Sequence, residues 1–211
     1  LVGAAEVGTE GLTRSFGWGR REVLEQQDVQ EFSRMLCDAL RHEHCVLAEL
    51  DVSGGIDSAV MCGLLARAVP KSQLGCVFSG IHSSEESLRR ARLVTEAFGV
   101  RLVEIDLSAE YESISQKIVR GMSASGFDAV AIAARREESL AVDGSFRSCL
   151  RAPIGRYVNR LMGGGVRHGT GNECEDRFGR FYQKGGDGEV DTNPIAMLSK
   201  GEVYQLARGL G

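Results

Sequence analysis

Val46-Leu47-Ala48-Glu49-Leu50-Asp51-Val52-Ser53-Gly54-Gly55-Ile56-Asp57-Ser58 is the stretch on which the fold turns. Its first seven residues read as a strand, and Ser53-Gly54-Gly55 breaks the run. From Ile56 to Val69, apolar or small residues occupy most faces and Pro70 closes the segment, which predicts a helix buried against a sheet. Leu74 to Phe78 is a short apolar run that predicts a second strand. Ser83 and Glu86 make a capping-box pattern for a helix that lays Leu88, Ala91, Thr95 and Phe98 on one face and stops at Gly99. Arg101 to Leu107 supplies a third strand.

Strands that alternate with helices pair in parallel through right-handed crossovers. The predicted class is therefore α/β, a doubly wound, Rossmann-like parallel sheet with helices on both faces. Residues 1–27 are rich in glycine without a sustained period and read as an irregular arm, leaving 28–211 as one domain. Within it a helix is expected over about 29–41, where Asp28 and Glu31 resemble a capping pair. Ile114, Ile118 and Met122 point to another helix, whereas 121–148 has no clean period and is expected to contain a mobile loop. A helix from Pro153 to Met162, a strand over Val166 to His168, and a last helix capped by Ser199 and Glu202 complete the expectation.

Composition excludes several classes of function. A chain of 211 residues with 43% hydrophobic and 26% charged residues is an ordinary globular one. Its net charge of −4 and lack of a basic block speak against a nucleic-acid platform. The six cysteines show neither CxxC pairs nor zinc spacing, so they read as reduced thiols in a cytoplasmic protein. No apolar run approaches the roughly 18 residues that span a bilayer, so no membrane partner is expected.

The loop at 53–58 places backbone amides, two hydroxyls and a helix N-terminus around one small space, which is a cradle for an anion. Asp57 would repel a bare phosphate; with a divalent cation between them the sign reverses, so Asp57 is a candidate magnesium ligand. The loop lacks the Gly-Lys-Ser/Thr of a Walker A sequence. Its Ser-Gly-Gly-x-Asp-Ser spacing resembles the ATP pyrophosphatases, which split ATP between the α and β phosphates and include NAD synthase, GMP synthase, argininosuccinate synthase and asparagine synthetase.

An ordered series downstream selects among them: Gly169-Thr170-Gly171-Asn172-Glu173-Cys174-Glu175, then Lys184-Gly185-Gly186-Asp187-Gly188-Glu189-Val190-Asp191, then Asn193-Pro194-Ile195, then Leu198-Ser199-Lys200. With the Ser53 loop it resembles the NAD synthase signature, and the resemblance covers about residues 29–211. It implies an ATP-binding set of Ser53, Gly54, Gly55, Ile56, Asp57, Ser58, Thr170 and Lys200, a magnesium pair of Asp57 and Glu175, and deamido-NAD contacts from Arg151, Lys184 and Asp191. The implied activity is that of a carbon–nitrogen ligase in which ATP adenylates the nicotinate carboxylate of deamido-NAD, releasing pyrophosphate, and ammonia displaces AMP to give NAD. No protein nucleophile is called for, and the sequence singles out no base for ammonia.

The resemblance also implies a homodimer, formed through the N-terminal helix and the helix at 153–162. Roughly fifty residues precede the loop, too few for the glutaminase domain that some family members carry, so free ammonia is the expected nitrogen source. Family members continue past the position of Gly211 with a segment that helps cover the sites. Three departures stand out. Glu49 and Asp51 interrupt a strand expected to be apolar throughout; Cys149 stands where the first arginine of an Ala-Arg-x-Arg stretch would be, with Arg151 matching the second and Arg147 as its alternative; and one residue is inserted near Arg180. Two other readings remain: another amide ligase of the ATP pyrophosphatase group, and a catalytically silent nucleotide-binding homologue.

Overall fold

Strands β1 (Ala48–Asp51), β2 (Leu74–Gly80), β3 (Arg101–Asp106) and β4 (Val166–His168) form one sheet in the order β3-β2-β1-β4, with every pairing parallel. The computed structural model describes residues 30, 31, 33–35, 38, 48–179 and 185–210, of which 177–179 in backbone alone. Helices α1 (Ile56–Ala68), α2 (Glu85–Phe98), α3 (Ser108–Ala124), α4 (Ala129–Glu138), α5 (Leu140–Leu161) and α6 (Lys200–Leu210) flank the sheet. The chain winds outward from β1 through β2 to β3 and then returns to the other side of β1 to lay down β4. That reversal opens a crevice at the C-terminal ends of β1 and β4, where ligands of doubly wound sheets bind. The predicted fold class is the observed one. Among the described residues, no helix is long and apolar enough to cross a membrane.

The two faces of the sheet differ in chemistry. On one, Ala48, Leu50 and Val52 join Val60, Met61, Leu64 and Leu65 of α1 and Val203, Leu206 and Leu210 of α6 in the main apolar core. α1 is buried on most sides, as its sequence predicts, and each large aliphatic chain removed from water there contributes about 1.5–3 kcal/mol. Gly63 has no room for a side chain, since a Cβ would lie 2.7 Å from the Phe98 ring of α2. A smaller cluster of Ile81, Leu107 and Tyr111, with Phe146, Leu150 and Ile154 against it, seats α3 and α5 on the opposite side.

Two local expectations need correction, and the stretch without a clean period is resolved. The cap of α2 is Ser84, whose hydroxyl accepts from the Ser87 amide at 3.1 Å, so the helix starts at Glu85. Ser83 instead accepts from the Ile81 amide at 3.3 Å and closes the turn after β2. Residues 121–148 are largely helical: α3 runs on to Ala124, and Asp128 caps α4 by accepting from the Val130 amide at 2.8 Å. Val130, Leu140 and Val142 are exposed there, so the helices carry no single buried stripe for periodicity to detect. α5 begins thirteen residues before Pro153, which lies inside the helix and does not open it. The expected helix over 29–41 is seen in part, with residues 30, 31, 33–35 and 38 helical; Asp28 and the arm at 1–27 lie outside the described residues.

The acidic interruption of β1 is resolved by β4. Glu49 pairs in register with Arg167, so both side chains leave the sheet on the α5 face. The Arg167 guanidinium is buried between Glu49, at 3.7 Å, Asp51, to which Nη2 donates, and the Ala152 carbonyl of α5, which accepts at 2.8 Å. Gly155 makes the passage possible, because a Cβ there would meet Arg167 Nη1 at 2.2 Å. One cation thus serves two acids, and Asp51 takes the hydrogen bond. Burial, reinforced by the charge of Asp51 and opposed by Arg167, pushes the Glu49 carboxyl from 4.5 up to about 8.

A carboxyl raised in the folded state binds a proton that the unfolded chain has released, so its stabilising contribution is present below the ordinary value and falls away as pH rises toward 8. Urea unfolding of Glu49→Gln is expected to lack this loss, worth on the order of a few kcal/mol between pH 5 and 8. Parallel pH profiles for the variant and the natural chain would contradict a neutral Glu49.

Candidate functional site

The loop between β1 and α1 is a closed turn built from its own hydroxyls. Ser53 Oγ accepts from the Gly55 amide at 3.3 Å, the Ser53 amide donates to Ser58 Oγ at 3.3 Å, and Ser58 Oγ donates to the Gly55 carbonyl at 3.0 Å. Gly54 adopts φ +82, and a Cβ on it would lie 2.3 Å from the Ser87 carbonyl of α2, so both conformation and space demand glycine. Gly55 caps α1 without a side-chain hydrogen bond. The first amides of α1 have no acceptor within their own helix, and the positive end of its dipole lies at this loop, the kind of place where anions bind.

The loop after β4 supplies the opposite wall. Gly169 and Gly171 are pressed against Asn193 and Asp176: a Cβ on Gly171 would meet the Asp176 carboxylate at 2.6 Å. This close packing brings Asn172, fully buried, onto α1, where its Nδ2 donates to Asp57 Oδ1 at 2.9 Å. Its Oδ1 accepts from the Glu175 amide at 3.2 Å, so one side chain holds the Asp57 carboxylate and the Glu175 backbone. Lys200, the first residue of α6, completes the group: Nζ donates to Asp57 Oδ2 at 2.5 Å and to Glu175 Oε1 at 3.1 Å. Burial pulls the Lys200 ammonium down, but its two carboxylate partners outweigh that and hold it above its ordinary range. Ser199 and Glu202 cap α6 as expected, the Ser199 amide donating to Glu202 Oε2 at 2.6 Å.

Ser53, Gly54, Gly55, Ile56, Asp57, Ser58, Thr170, Glu175 and Lys200 thus lie on the two loops and the helix start that face one another at the crevice. Arg151 sits apart on α5, with Nε donating to the Ser79 carbonyl at 2.8 Å, near the C-terminal end of β2. Asp191 is engaged by the protein: it accepts from the Arg167 amide at 2.8 Å and from Arg156 Nη1 at 3.1 Å. Burial raises the Asp191 carboxyl, but these hydrogen bonds prevail and hold it below its ordinary range. Ser148 of α5 and Asp187 exchange hydrogen bonds at 2.9 and 3.1 Å, which ties the Gly-Asp-Gly stretch to the helix that carries Arg151. Lys184 lies outside the described residues.

Asn172 is the residue that the sequence shows only as part of a pattern. Its role depends on a partner 115 positions away, and no spacing rule reaches that far. Ser87 is a second such residue, because its contribution is a backbone carbonyl under Gly54.

Asp57 and Glu175 embrace one cationic group from two sides, and both offer oxygen donors. That donor set fits magnesium, which takes one or two carboxylates and completes its shell with water and phosphate oxygens. Among the described residues no group of three His, Cys, Asp or Glu converges as a closed metal cage, which is the arrangement expected of a transition-metal site.

A doubly wound parallel sheet, an anion cradle at its reversal point and paired carboxylates around a lysine define a nucleotide-type α/β protein of the phosphate-handling class. The chain belongs to the NAD synthase family, whose model matches residues 28–211. It is 31% identical over 190 residues to the NH(3)-dependent NAD(+) synthetase of Alkaliphilus oremlandii, covering 88% of this chain and 71% of that one. It is 36% identical over 194 residues to the enzyme of the same name from Halobacterium salinarum, covering 90% and 64% respectively. The chain therefore spans about two thirds of the length of these curated relatives. The solved NH3-dependent NAD synthetase from Campylobacter jejuni shares the fold, with a TM-score of 0.70 at 22% identity, over 89% of this chain and 74% of that one.

Gly54→Ala is expected to be damaging twice over, through the left-handed φ and the clash with the Ser87 carbonyl. Thermal unfolding should show a loss of roughly 1–3 kcal/mol, and titration with ATP a large loss of affinity. A variant as stable and as ATP-competent as the natural chain would refute the close approach.

Proposed function

We propose that the chain amidates deamido-NAD with ammonia in an ATP-dependent reaction, releasing AMP and pyrophosphate by way of an adenylated nicotinate carboxylate. One observation carries the reading: in a member of the NAD synthase family, Asp57, Glu175 and Lys200 converge at the mouth of an amide-lined loop. A polyphosphate seated on the amides of 53–58 meets the dipole of α1 at one end and the Lys200 ammonium at another. Asp57 and Glu175 would hold magnesium, whose charge supports pyrophosphate as it leaves. Asn172 keeps Asp57 and the Glu175 backbone in fixed relation, so the acids need no reorganisation when the nucleotide arrives. Thr170, on the loop after β4, offers a hydroxyl to the nucleotide.

Arg151 and Lys184 are assigned to deamido-NAD, Arg151 with its guanidinium held by the Ser79 carbonyl at the end of β2. Asp191 joins them through its place beside Arg156, and its first task is to pin β4. The domain is assigned to 28–211, preceded by an arm at 1–27, and the nitrogen source to free ammonia. The protein acts as a homodimer in the cytoplasm. The thiols of Cys62, Cys76 and Cys174, none of them in a disulfide, support that compartment, and exposed Tyr157 and Leu161, one turn apart on α5, support a contact there.

The test is to incubate the full chain with ATP, magnesium, deamido-NAD and ammonium and to follow both NAD and pyrophosphate. Formation of the two in equal amounts is expected; pyrophosphate without NAD would favour another amide ligase of the group, and neither product a silent homologue. Asp57→Asn and Glu175→Gln are each expected to lower turnover by about 100-fold or more while leaving the far-ultraviolet circular dichroism unchanged. Near-normal turnover in both variants would sink the assignment of the carboxylate pair.

A further inference from the structure

The Lys200 ammonium lies between the carboxylates assigned to the metal, 2.5 Å from Asp57 Oδ2 and 3.1 Å from Glu175 Oε1. The remaining oxygen of Asp57 is already taken by Asn172 at 2.9 Å. A divalent cation held by Asp57 and Glu175 would lie in the space between them that this ammonium now fills, and two cations that close repel each other. The surrounding structure allows the ammonium to leave and little else to move. Asn172 is fully buried and holds Asp57 from the far side, while the Lys200 amide donates to Cys174 Sγ at 3.4 Å. The adjoining Ser199–Glu202 capping pair holds the start of α6. The Lys200 side chain, by contrast, is about one third exposed, at 37%, and carries a flexible four-carbon stem.

We propose that Lys200 is the resident counter-cation of the Asp57–Glu175 pair, and that a divalent cation binds there by displacing its ammonium toward the polyphosphate. This rests on the assignment of the carboxylate pair in the preceding section and adds a mechanism of exchange to it. The lysine neutralises two neighbouring acids that would otherwise repel each other, and it is released where phosphate charge must be met. Because the same ammonium leaves the acids and joins the phosphates, divalent cation and polyphosphate each favour the binding of the other, as thermodynamic reciprocity requires.

Manganese(II) alone, without nucleotide, is the probe, and binding to the full chain is read from the paramagnetic resonance signal of the free ion. Lys200→Met is expected to bind manganese about tenfold more tightly than the natural chain, and Lys200→Arg to remain within about threefold of it. A second readout needs no variant. Reductive methylation of Lys200, followed by mass spectrometry, is expected to quicken several-fold at saturating manganese while that of Lys71 does not change. Equal manganese affinity in the natural chain and a folded Lys200→Met, or a Lys200 methylation rate indifferent to manganese, would overturn the exchange. The two levels fail separately. NAD formation with no manganese response removes the exchange and leaves the activity, whereas a manganese response without NAD removes the activity and leaves the exchange.

Discussion

The carboxylate of Asp57 is the junction on which the site depends. One oxygen is held by Asn172 from the loop after β4 and the other by Lys200 from the start of α6, while the residue itself opens α1. Three segments far apart in sequence are thereby brought to one point, with a hydrogen bond and an ion pair shielded from most of the solvent. Such contacts are worth more in a partly buried place than on the surface, and they also specify geometry, because a carboxylate satisfied from two directions has little freedom left. The anion cradle, the second acid and the lysine then follow from the position of this one side chain.

The same sheet carries a second polar arrangement of a different kind. Glu49, Asp51 and Arg167 lie under α5, where a purely apolar layer would pack with less cost, since burying charges requires compensation from every partner. Arg167 supplies it by reaching both acids and a helix carbonyl through the gap at Gly155. Glu49 is left as the acid without a hydrogen bond, and burial holds its carboxyl well above the usual carboxylate range. Two acids in the middle of the sheet are thus both met by one cation, Glu49 at 3.7 Å and Asp51 through an ion pair.

Much of the architecture was legible along the chain. β1, the glycine turn and α1 follow from an apolar run, a break and a second apolar run closed by Pro70; Gly99 ends α2 in the left-handed conformation that its sequence position foretold. The capping box of α6 was equally plain. Residues 121–148 were not legible, because α4 and the first half of α5 bury little and expose Val130, Leu140 and Val142, which erases the periodic signal. The shift of the α2 cap from Ser83 to Ser84 escaped notice for a related reason: two adjacent serines compete, and the turn after β2 claims the first.

By itself the sequence determined the class of the sheet, the position of the phosphate-type loop and the family, because each rests on local order: apolar period, turn chemistry and the spacing of short motifs. Only the tertiary structure decided that Asn172 holds Asp57, that Lys200 lies between the two acids, and that Arg167 answers Glu49 and Asp51. These are contacts across more than a hundred residues, except that between Lys200 and Glu175, which spans 25. They arise where parallel strands return to one crevice, and the direction in which a side chain leaves its strand or helix is settled by packing.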